Sequence, residues 1–323
     1  MIQLLKRIAV ACTALGFALA ANSQPFPSKL IKIVTPFSAG SGSDAVARIA
    51  AQNLVESLKQ PVIVENRPGA NGVIAAQFVA RSAPDGYTLF ITTNTTHSAN
   101  PSLMKSIPYD PIKDFASVAR LGNFFPSMLA INPRLPVTSV ADLIAYAKAN
   151  PGKLTYATGN TTGIIAGATF TRTTGIDILH VPYKSTPPAM VDLISGQVSM
   201  MIIDIMTGLS NARAGKLRAL AHMGDKPISI LPDVPPLANT PGLEGFNLMA
   251  WLGVFAPAGT PLEIIDMLNR EFVKIVTRKD IVERFAGLGF DAFGSTPQEL
   301  GVFVASELVR WVGLVKDAGI QPE

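Results

Sequence analysis

The segment at residues 30–58 constrains the fold more than any other part of this chain. An apolar run at residues 30–35 leads into a loop of small residues at 36–44, and a helical repeat of apolar residues follows. This order predicts a strand, a tight loop and a helix. The first amides of a helix lack partners within the helix and lie at the positive end of its dipole, so such a loop can hold an anion. The alternative is a purely structural turn, with Ser43 or Asp44 as the helix cap.

The loop differs from both common nucleotide-binding motifs. No Gly-Lys-Ser/Thr sequence closes it, as in a Walker motif, and the third glycine of the dinucleotide fingerprint is missing. We therefore expect no phosphate-containing cofactor at this loop.

A second glycine-containing loop, at residues 158–163, also follows an apolar run and enters a helix rich in small residues. In open α/β sheets ligands bind beyond the carboxyl ends of the strands. Two such loops that face each other across a cleft would hold one ligand from both sides. Taken alone, the second loop is as readily explained as a polar turn.

Residues 1–20 have the composition of an export signal. Lys6 and Arg7 precede an apolar stretch that is too short to span a bilayer, and a small-residue cleavage site precedes Ala21. The only cysteine, Cys12, lies inside this segment. The processed chain is therefore expected to contain no thiol or disulfide, and we expect it in the periplasm.

The composition argues against a nucleic-acid partner. Removal of the predicted signal peptide leaves 27 − 2 = 25 Lys and Arg against 23 Asp and Glu, a net charge of +2. No aromatic residues alternate with Lys or Arg as on a nucleic-acid surface. The length, with 48% hydrophobic and 15% charged residues, indicates two domains with large cores.

Strand-like runs alternate with helical patterns along the whole chain, which predicts α/β layers with largely parallel sheets. The predicted strands lie at residues 30–35, 62–65, 89–93, 127–131, 154–157, 198–204 and 217–221. Helix starts are indicated by capping-box patterns and by a proline at a first helical turn. These signals are Ser139 with Asp142, Ser295 with Gln298 or Thr296 with Glu299, and Pro261 before a helix at 262–279.

No catalytic or metal-binding pattern is present in the sequence. It contains no Gly-x-Ser-x-Gly elbow and no His-Glu-x-x-His motif. The three histidines, His97, His180 and His222, are scattered and lack the spacing of a metal site. Asp204 ends a very apolar run, so it is either the cap of the next helix or an acceptor that faces a ligand.

Several motifs together resemble one family, the receptors of tripartite tricarboxylate transporters, also known as Bug proteins. The resemblance covers nearly all of the chain after the signal peptide. The motifs, in order, are IVTPFSAGSGSD (33–44), VENRPGANG (64–72), APDGYTL (83–89), NPSL (100–103), YDPIKDF (109–115), VPYK (181–184), LPDVP (231–235) and APAGTP (256–261).

The resemblance implies a two-lobe α/β periplasmic binding protein of type II, a Venus-flytrap fold, with a mostly parallel sheet in each lobe and a two-segment hinge. Lobe 1 is expected at residues 27–127 plus 246–323, and lobe 2 at residues 128–245. It implies a receptor that captures a small organic carboxylate and delivers it to a membrane permease. It also implies no enzymatic activity and no cofactor, and we expect a monomer.

The resemblance also supplies the expected ligand-binding residues, with a ligand carboxylate on the amides of the first loop and the ring of Phe37 against the ligand. The expected set is Phe37, Ser38, Ala39, Gly40, Ser41, Gly42, Ser43, Asn94, Thr95, Thr158, Gly159, Asn160, Thr161, Thr162, Tyr183 and Asp204. Two alternative functions stay open at this point. One is a ligand-sensing receptor of a signalling system, and the other is a secreted hydrolase that uses Asp44, Asp204 and His97.

Overall fold

The computed structural model describes residues 26–244 and 248–322. The predicted signal peptide and the predicted lobe boundary at residues 245 and 246 lie outside these residues. The described chain forms strands β1 (Ile31–Thr35), β2 (Val62–Asn66), β3 (Thr88–Thr93), β4 (Phe115–Phe124), β5 (Met128–Ile131), β6 (Thr155–Thr158), β7 (Leu179–Pro182), β8 (Met200–Ile203), β9 (Arg218–His222), β10 (Trp251–Pro257) and β11 (Phe290–Ala292).

The strands are accompanied by helices α1 (Gly42–Leu58), α2 (Val73–Ala80), α3 (Asn100–Leu103), α4 (Val140–Ala149), α5 (Thr161–Thr174), α6 (Thr186–Ser195), α7 (Ile205–Arg213), α8 (Leu262–Thr277), α9 (Lys279–Leu288) and α10 (Pro297–Asp317). Short 3₁₀ turns lie at Ala70–Gly72 and Leu237–Asn239, and a π-helical turn at Thr95–Ala99 follows β3. None of the described helices combines the length and the apolar character needed to cross a membrane.

Two separate sheets define two lobes. The sheet of lobe 1 has the strand order β11-β4-β10-β3-β1-β2, and the sheet of lobe 2 has the order β7-β6-β8-β5-β9. The chain passes from lobe 1 to lobe 2 between β4 and β5 and returns between β9 and β10. The predicted two-lobe α/β architecture is therefore present.

The parallel part of each sheet positions the loops of interest. β1 is parallel to β2 and β3, so Thr35 and Thr93 lie near one edge of the lobe 1 sheet. β6 is parallel to β7 and β8, which brings Thr158, Pro182 and Ile203 to one edge of the lobe 2 sheet. Because α5, α6 and α7 follow these strands, three helices begin at that edge.

Both sheets are mixed, with most strands in one direction as expected: β1, β2, β3 and β4 in lobe 1, and β6, β7, β8 and β9 in lobe 2. Four strand pairs in the described residues are parallel and five are antiparallel. The antiparallel pairs involve β10 and β4 in lobe 1 and β5 in lobe 2. These strands enter their sheets from the lobe crossings, so no crossover helix sets their direction.

Each sheet is covered on both faces, and the alternation of side chains along the strands explains how. Ile31 and Ile33 join the core beneath α1, α8 and α9, whereas Val34 joins the opposite core beneath α2 and the first half of α10. In lobe 2, Leu129 and Met128 point to opposite faces in the same way. Each sheet therefore has one core on each of its two faces.

Helix α10 contacts both lobes. Leu300 and Val304, in its first half, pack in the core of lobe 1. Trp311, in its second half, belongs to the cluster that contains Phe170 of α5 in lobe 2. Arg172 of α5 also donates a hydrogen bond to the carbonyl oxygen of Asp317. The last helix therefore spans the junction beside the cleft.

The local sequence signals are confirmed where they are strongest. The Ser139 hydroxyl accepts from the amide of Asp142, whose carboxylate accepts from the amide of Ser139, both at 3.0 Å. The same box forms between Thr296 and Glu299, so Thr296 rather than Ser295 caps α10. All seven predicted strands are present. The sequence analysis missed four strands. β4 is interrupted by small and polar residues, β7 ends in proline, β10 lies at a lobe crossing, and β11 has only three residues.

Candidate functional site

The first loop folds largely on itself. The amide of Gly40 donates to Oδ2 of Asp44 at 2.9 Å, and the amide of Ser41 donates to the carbonyl oxygen of Ser38 at 3.1 Å. Gly40 has φ +82°, a conformation that glycine adopts without steric cost. The Ser41 hydroxyl caps α1 by accepting from the amide of Asp44. Both amides are thus used within the loop in this structure, and their role in ligand binding stays a prediction.

Other amides of this loop face lobe 2. The amide of Ser38 donates to Oγ of Ser185 at 3.1 Å, and the amide of Gly42 donates to Oγ1 of Thr207 at 3.1 Å. Ser43 lies in the first turn of α1, where amides have no acceptor within the helix, and it lines the cavity between the lobes. The N-terminus of α1 thus presents hydrogen-bond donors to the cleft.

Lobe 2 contributes three more helix N-termini to the same cavity. Asn160 caps α5, Ser185 precedes α6, and Asp204 caps α7. Each helix end carries a partial positive charge from its unpaired amides. With α1, four helix N-termini converge on one cavity, an arrangement that favours a bound anion.

Asn94 stands at the end of β3, directly before the π-helical turn, and is fully buried. Its Nδ2 donates to Oγ1 of Thr162 in lobe 2 at 3.0 Å, while its Oδ1 has no partner in the described structure. Next to it, the hydroxyl of Thr161 donates to that of Thr95 at 2.9 Å. Asn94 and Thr95 therefore meet Thr162 and Thr161, two of the three threonines predicted in lobe 2.

Asp204 combines the two roles that the sequence left open. Its Oδ1 accepts from the amide of Thr207 at 2.8 Å and from the Thr207 hydroxyl at 2.6 Å, which makes it the N-cap of α7. It also lines the cavity. Burial raises the pKa of Asp204, despite the hydrogen bonds from Thr207 that act in the opposite direction.

The cavity lies between the lobes, and in this arrangement it encloses about 30 Å³, room for no more than a few water molecules. Four hydrogen bonds close the lobes over it, in the pairs Ser38–Ser185, Gly42–Thr207, Asn94–Thr162 and Thr95–Thr161. Entry of an organic molecule therefore requires the lobes to separate. The cavity lining consists of Phe37, Ser41, Gly42, Ser43, Thr93, Asn94, Thr95, Phe124, Ser127, Asn160, Thr162, Thr186, Asp204 and Ala250.

Seven of the expected binding residues do not line this cavity: Ser38, Ala39, Gly40, Thr158, Gly159, Thr161 and Tyr183. The Thr158 hydroxyl pairs with Nε2 of His180 at 2.7 Å. A Cβ at Gly159 would lie 2.2 Å from the amide nitrogen of Thr186, so this glycine allows two loops of lobe 2 to touch.

Tyr183 points away from the cleft. Its hydroxyl donates to Oδ2 of Asp192 in α6 at 2.5 Å, and its ring packs against a core of lobe 2. Desolvation and this hydrogen bond raise the pKa of Tyr183 to about 12. The geometry gives Tyr183 a structural role at the start of α6.

Sequence reasoning missed the closing pair Ser185 and Thr207, together with the lining residues Thr93, Ser127, Thr186 and Ala250. Phe124, an aromatic candidate for the cleft wall in the sequence, also lines the cavity. Two signals point to the pair. Ser185 lies between an extended run and a helix with proline in its first turn, and Thr207 stands three residues after the cap Asp204. Both positions are helix starts, as in the first loop.

The residues of the hydrolase hypothesis do not assemble. Of the three, Asp204 alone lines the cavity. The ring of His97 is fully buried and stacks on Phe255 with 3.9 Å between centroids. Burial opposes ionisation of Asp44, but hydrogen bonds from Arg48, Asn66 and Gly40 lower its pKa below the usual value. In the described part of the chain, no group of three His, Cys, Asp or Glu residues could hold a metal ion.

Comparison with known proteins decides the family. Residues 46–320 match the model of the tripartite tricarboxylate transporter family receptor, TctC. The chain belongs to this receptor family. It is 37% identical over 322 residues to Protein BugT of Bordetella pertussis (strain Tohama I), an alignment that covers 99% of this chain and 98% of the relative.

Solved structures agree with this assignment. R. palustris Rpa4515, solved with adipate, is 34% identical and has a TM-score of 0.88, with 92% of this chain and 100% of that chain covered. MatC (Rpa3494) from Rhodopseudomonas palustris, solved with bound malate, is 32% identical and has a TM-score of 0.83, with 90% and 100% covered. The receptor thus shares its fold with extracytoplasmic binding proteins, and the protein is not an enzyme.

Proposed function

We propose that this receptor captures a small organic carboxylate between its two lobes and delivers it to a tripartite tricarboxylate-type permease. The observation that supports the carboxylate is the convergence of four helix N-termini on one cavity, which Ser43 in the first turn of α1 also lines. No lysine or arginine lines the cavity in the described chain. Neutral donors and helix ends thus provide the attraction for the anion.

The energies of such contacts are sufficient. A charge at a helix N-terminus is stabilised by about 0.3–1 kcal/mol, and by up to about 2 kcal/mol when partly buried. Hydrogen bonds to an ionised group add about 1.5–3 kcal/mol each. Micromolar affinity requires roughly 8 kcal/mol. Several such contacts, with the rings of Phe37 and Phe124 against the carbon skeleton, supply the interaction energy from which the cost of association is subtracted.

Two relatives give the proposal its ligand class. Rpa4515 was solved with adipate and MatC with malate, and both ligands are dicarboxylates. We transfer to this chain the class of small organic acids and not the individual ligand. The binding residues proposed from the sequence that also line the cavity are Phe37, Ser41, Gly42, Ser43, Asn94, Thr95, Asn160, Thr162 and Asp204.

Delivery to a permease follows from closure. A ligand favours the closed form only through contacts that it makes with both lobes at once. Closure brings the lobes into one arrangement, and the outer surface of that arrangement is what a membrane partner recognises. On this proposal the receptor works as a periplasmic monomer after removal of residues 1–20.

Binding is tested on the processed chain, starting at Ala21. A thermal-shift screen of mono- and dicarboxylates from two to eight carbons is followed by calorimetry, with mass spectrometry of the recovered ligand. We expect one-to-one binding of at least one carboxylate, which is recovered unchanged. The absence of any carboxylate binding contradicts the proposal.

Two variants locate the site. Asn94→Asp places a negative charge in the cavity and should weaken carboxylate binding by tenfold or more. Asn239→Asp makes the same change of charge at an exposed position of lobe 2 and should leave binding unchanged. Equal affinities of the two variants would place the ligand elsewhere.

Localisation and delivery need separate tests. N-terminal sequencing of the protein from the periplasmic fraction of a Gram-negative host should give a start at Ala21. Uptake of the labelled carboxylate should require both the receptor and a permease of this transporter class. Uptake that persists without the receptor contradicts the role in delivery.

A further inference from the structure

Asp204 and Asn94 line the cavity, and each has one side-chain oxygen that accepts none of the hydrogen bonds described above. Both hydrogen bonds from Thr207 to Asp204 end on Oδ1, which leaves Oδ2 available. Oδ1 of Asn94, a fully buried side chain, has no partner in the described structure. A buried acceptor without a donor is costly, so a ligand that supplies donors gains more than one that does not.

Asp204 stands beside the proposed carboxylate position. A Cβ built on Gly42 would lie 3.0 Å from Oδ1 of Asp204, so this carboxylate touches the N-terminus of α1. A ligand carboxylate on the amide of Ser43 would therefore lie next to a second carboxylate. Like charges this close repel each other strongly in a half-buried site.

Nothing else in the cavity removes this conflict. Asp204 is the one charged residue among those that line it in the described chain. The nearby Asp44 is already bonded to Arg48 and Asn66 and to the amide of Gly40. No cation among the described lining residues compensates the charge of Asp204, so a donor on the ligand would stabilise it.

We propose that Asp204 is a specificity-determining residue that selects carboxylic acids with a hydroxyl or ammonium group on C2, the carbon next to the bound carboxylate. This inference rests on the proposed function and narrows its ligand class. The C2 donor bonds to Oδ2 of Asp204 while the carboxylate occupies the N-terminus of α1. Oδ1 of Asn94 is the second acceptor for the same group.

The short distance between the N-terminus of α1 and Asp204 sets the position of the donor on the ligand. Since Asp204 lies in contact with Gly42, a donor on the carbon next to a carboxylate bound at α1 is close to Asp204. A 2-hydroxy or 2-amino acid places the donor at the required separation. An acid without such a group leaves two carboxylates in contact.

The test uses pairs of acids with one carbon skeleton: propionate and lactate, succinate and malate, glutarate and 2-hydroxyglutarate. Aspartate and glutamate are the ammonium counterparts of the two longer pairs. Calorimetry on the processed chain should give at least tenfold tighter binding for the C2-substituted member of each pair that binds. The hydroxyl and ammonium members then show which donor is preferred.

Asp204→Asn gives the decisive comparison, because asparagine remains an N-cap and an acceptor but carries no charge. We expect the C2-substituted acid to lose affinity by about tenfold and the unsubstituted acid to gain, so that their ratio falls below threefold. A merely structural role would shift both acids in the same direction. The control is Asp142→Asn, at the first turn of α4 in the same lobe. This variant should show the same ratio of affinities for the two acids as the original chain.

The outcomes separate the two proposals. If carboxylates bind but the members of each pair bind equally, or if only acids outside these pairs bind, the role of Asp204 is overturned and the proposed function stands. If no carboxylate binds, the proposed function fails and the inference fails with it.

Discussion

Gly42 and Phe124 touch where the N-terminus of α1 meets the end of β4. A Cβ built on Gly42 would lie 2.7 Å from Cε1 of Phe124 and 3.0 Å from Oδ1 of Asp204. Real Cβ atoms do not approach other atoms so closely, so only glycine lets the helix end, the ring and lobe 2 meet here. The four hydrogen bonds that close the lobes over the cavity depend on this close approach.

Gly42→Ala should therefore impair closure without harming the fold. Alanine is better than glycine in a helix by about 1 kcal/mol, so the melting temperature of the unliganded protein should not fall substantially. Because the added methyl group holds Asp204 away from α1, we expect ligand affinity to fall by tenfold or more in calorimetry. Gly287→Ala in α9, where a Cβ meets open space, is the matched control and should bind like the original chain. Unchanged affinity of Gly42→Ala would show that closure tolerates a wider spacing.

The hydroxyls of Ser185 and Thr207 should bias the unliganded receptor toward the closed form. They accept from the amides of Ser38 and Gly42 across the cleft, and each such hydrogen bond contributes about 0.5–1.5 kcal/mol. The double variant Ser185→Ala/Thr207→Val should shift the ratio of open to closed forms by roughly tenfold or more. Small-angle scattering of the unliganded protein should then give a larger radius of gyration.

The control for this experiment removes one serine and one threonine hydroxyl at positions outside the cleft. Ser306→Ala/Thr277→Val deletes exposed hydroxyls that bond only within their own helices. Its scattering should match that of the original chain. If both double variants scatter alike, the two hydroxyls of lobe 2 do not hold the lobes together.

Much of the first loop could be predicted from sequence, and the reason is that its signals are local. The run at 30–35, the glycines at 40 and 42 and the periodic helix specify a strand, a turn and a helix without help from distant residues. The capping boxes at Ser139 and Thr296 are likewise local. These elements form as the sequence indicates.

The rest depends on contacts that no local pattern encodes. The amide of Gly40 is taken by the side chain of Asp44, because a carboxylate four residues ahead competes with any ligand for that donor. Ser185 and Thr207 become partners of the first loop only when two distant lobes close. Tyr183 lies in the family-like motif VPYK, yet its hydroxyl donates a hydrogen bond to Asp192 of α6.

Asp204→Asn should stabilise the unliganded protein above acidic pH. Burial raises the pKa of Asp204 above its ordinary value of 3.8, so the folded state holds this proton more tightly than the unfolded state. Ionised Asp204 therefore destabilises the folded state, and the loss of folding stability grows as pH rises from 3.8 through the folded pKa. Thermal unfolding from pH 4 to pH 8 should show a variant that gains stability over the original chain as pH rises.

Asp142→Asn is expected to behave in the opposite way. Hydrogen bonds from Thr138 and Ser139 lower the pKa of Asp142, so its ionised form stabilises the fold above its usual pKa. This variant should lose stability at neutral pH and approach the original chain as pH falls. If both substitutions change stability in the same direction as pH rises, the environment of Asp204 does not disfavour its charge.

His97 should make the fold sensitive to acid. Its ring is fully buried against Phe255 and Phe115, and burial lowers the pKa of His97 from 6.5 to about 3. Between these values the unfolded state binds a proton that the folded state excludes, so stability falls as pH falls through this window. One such proton costs up to about 1.4 kcal/mol per pH unit.

His97→Phe keeps an aromatic ring in this core and removes the titrating group. Urea unfolding at pH 6.5 and pH 5.0 should show that the original chain loses roughly 1–2 kcal/mol more than the variant between these two values. Measurements at pH 8 and pH 9 provide the internal control, because the histidine is neutral in both states and the difference between the two proteins should then be constant. Parallel losses of both proteins between pH 6.5 and pH 5.0 would assign the acid sensitivity to other groups.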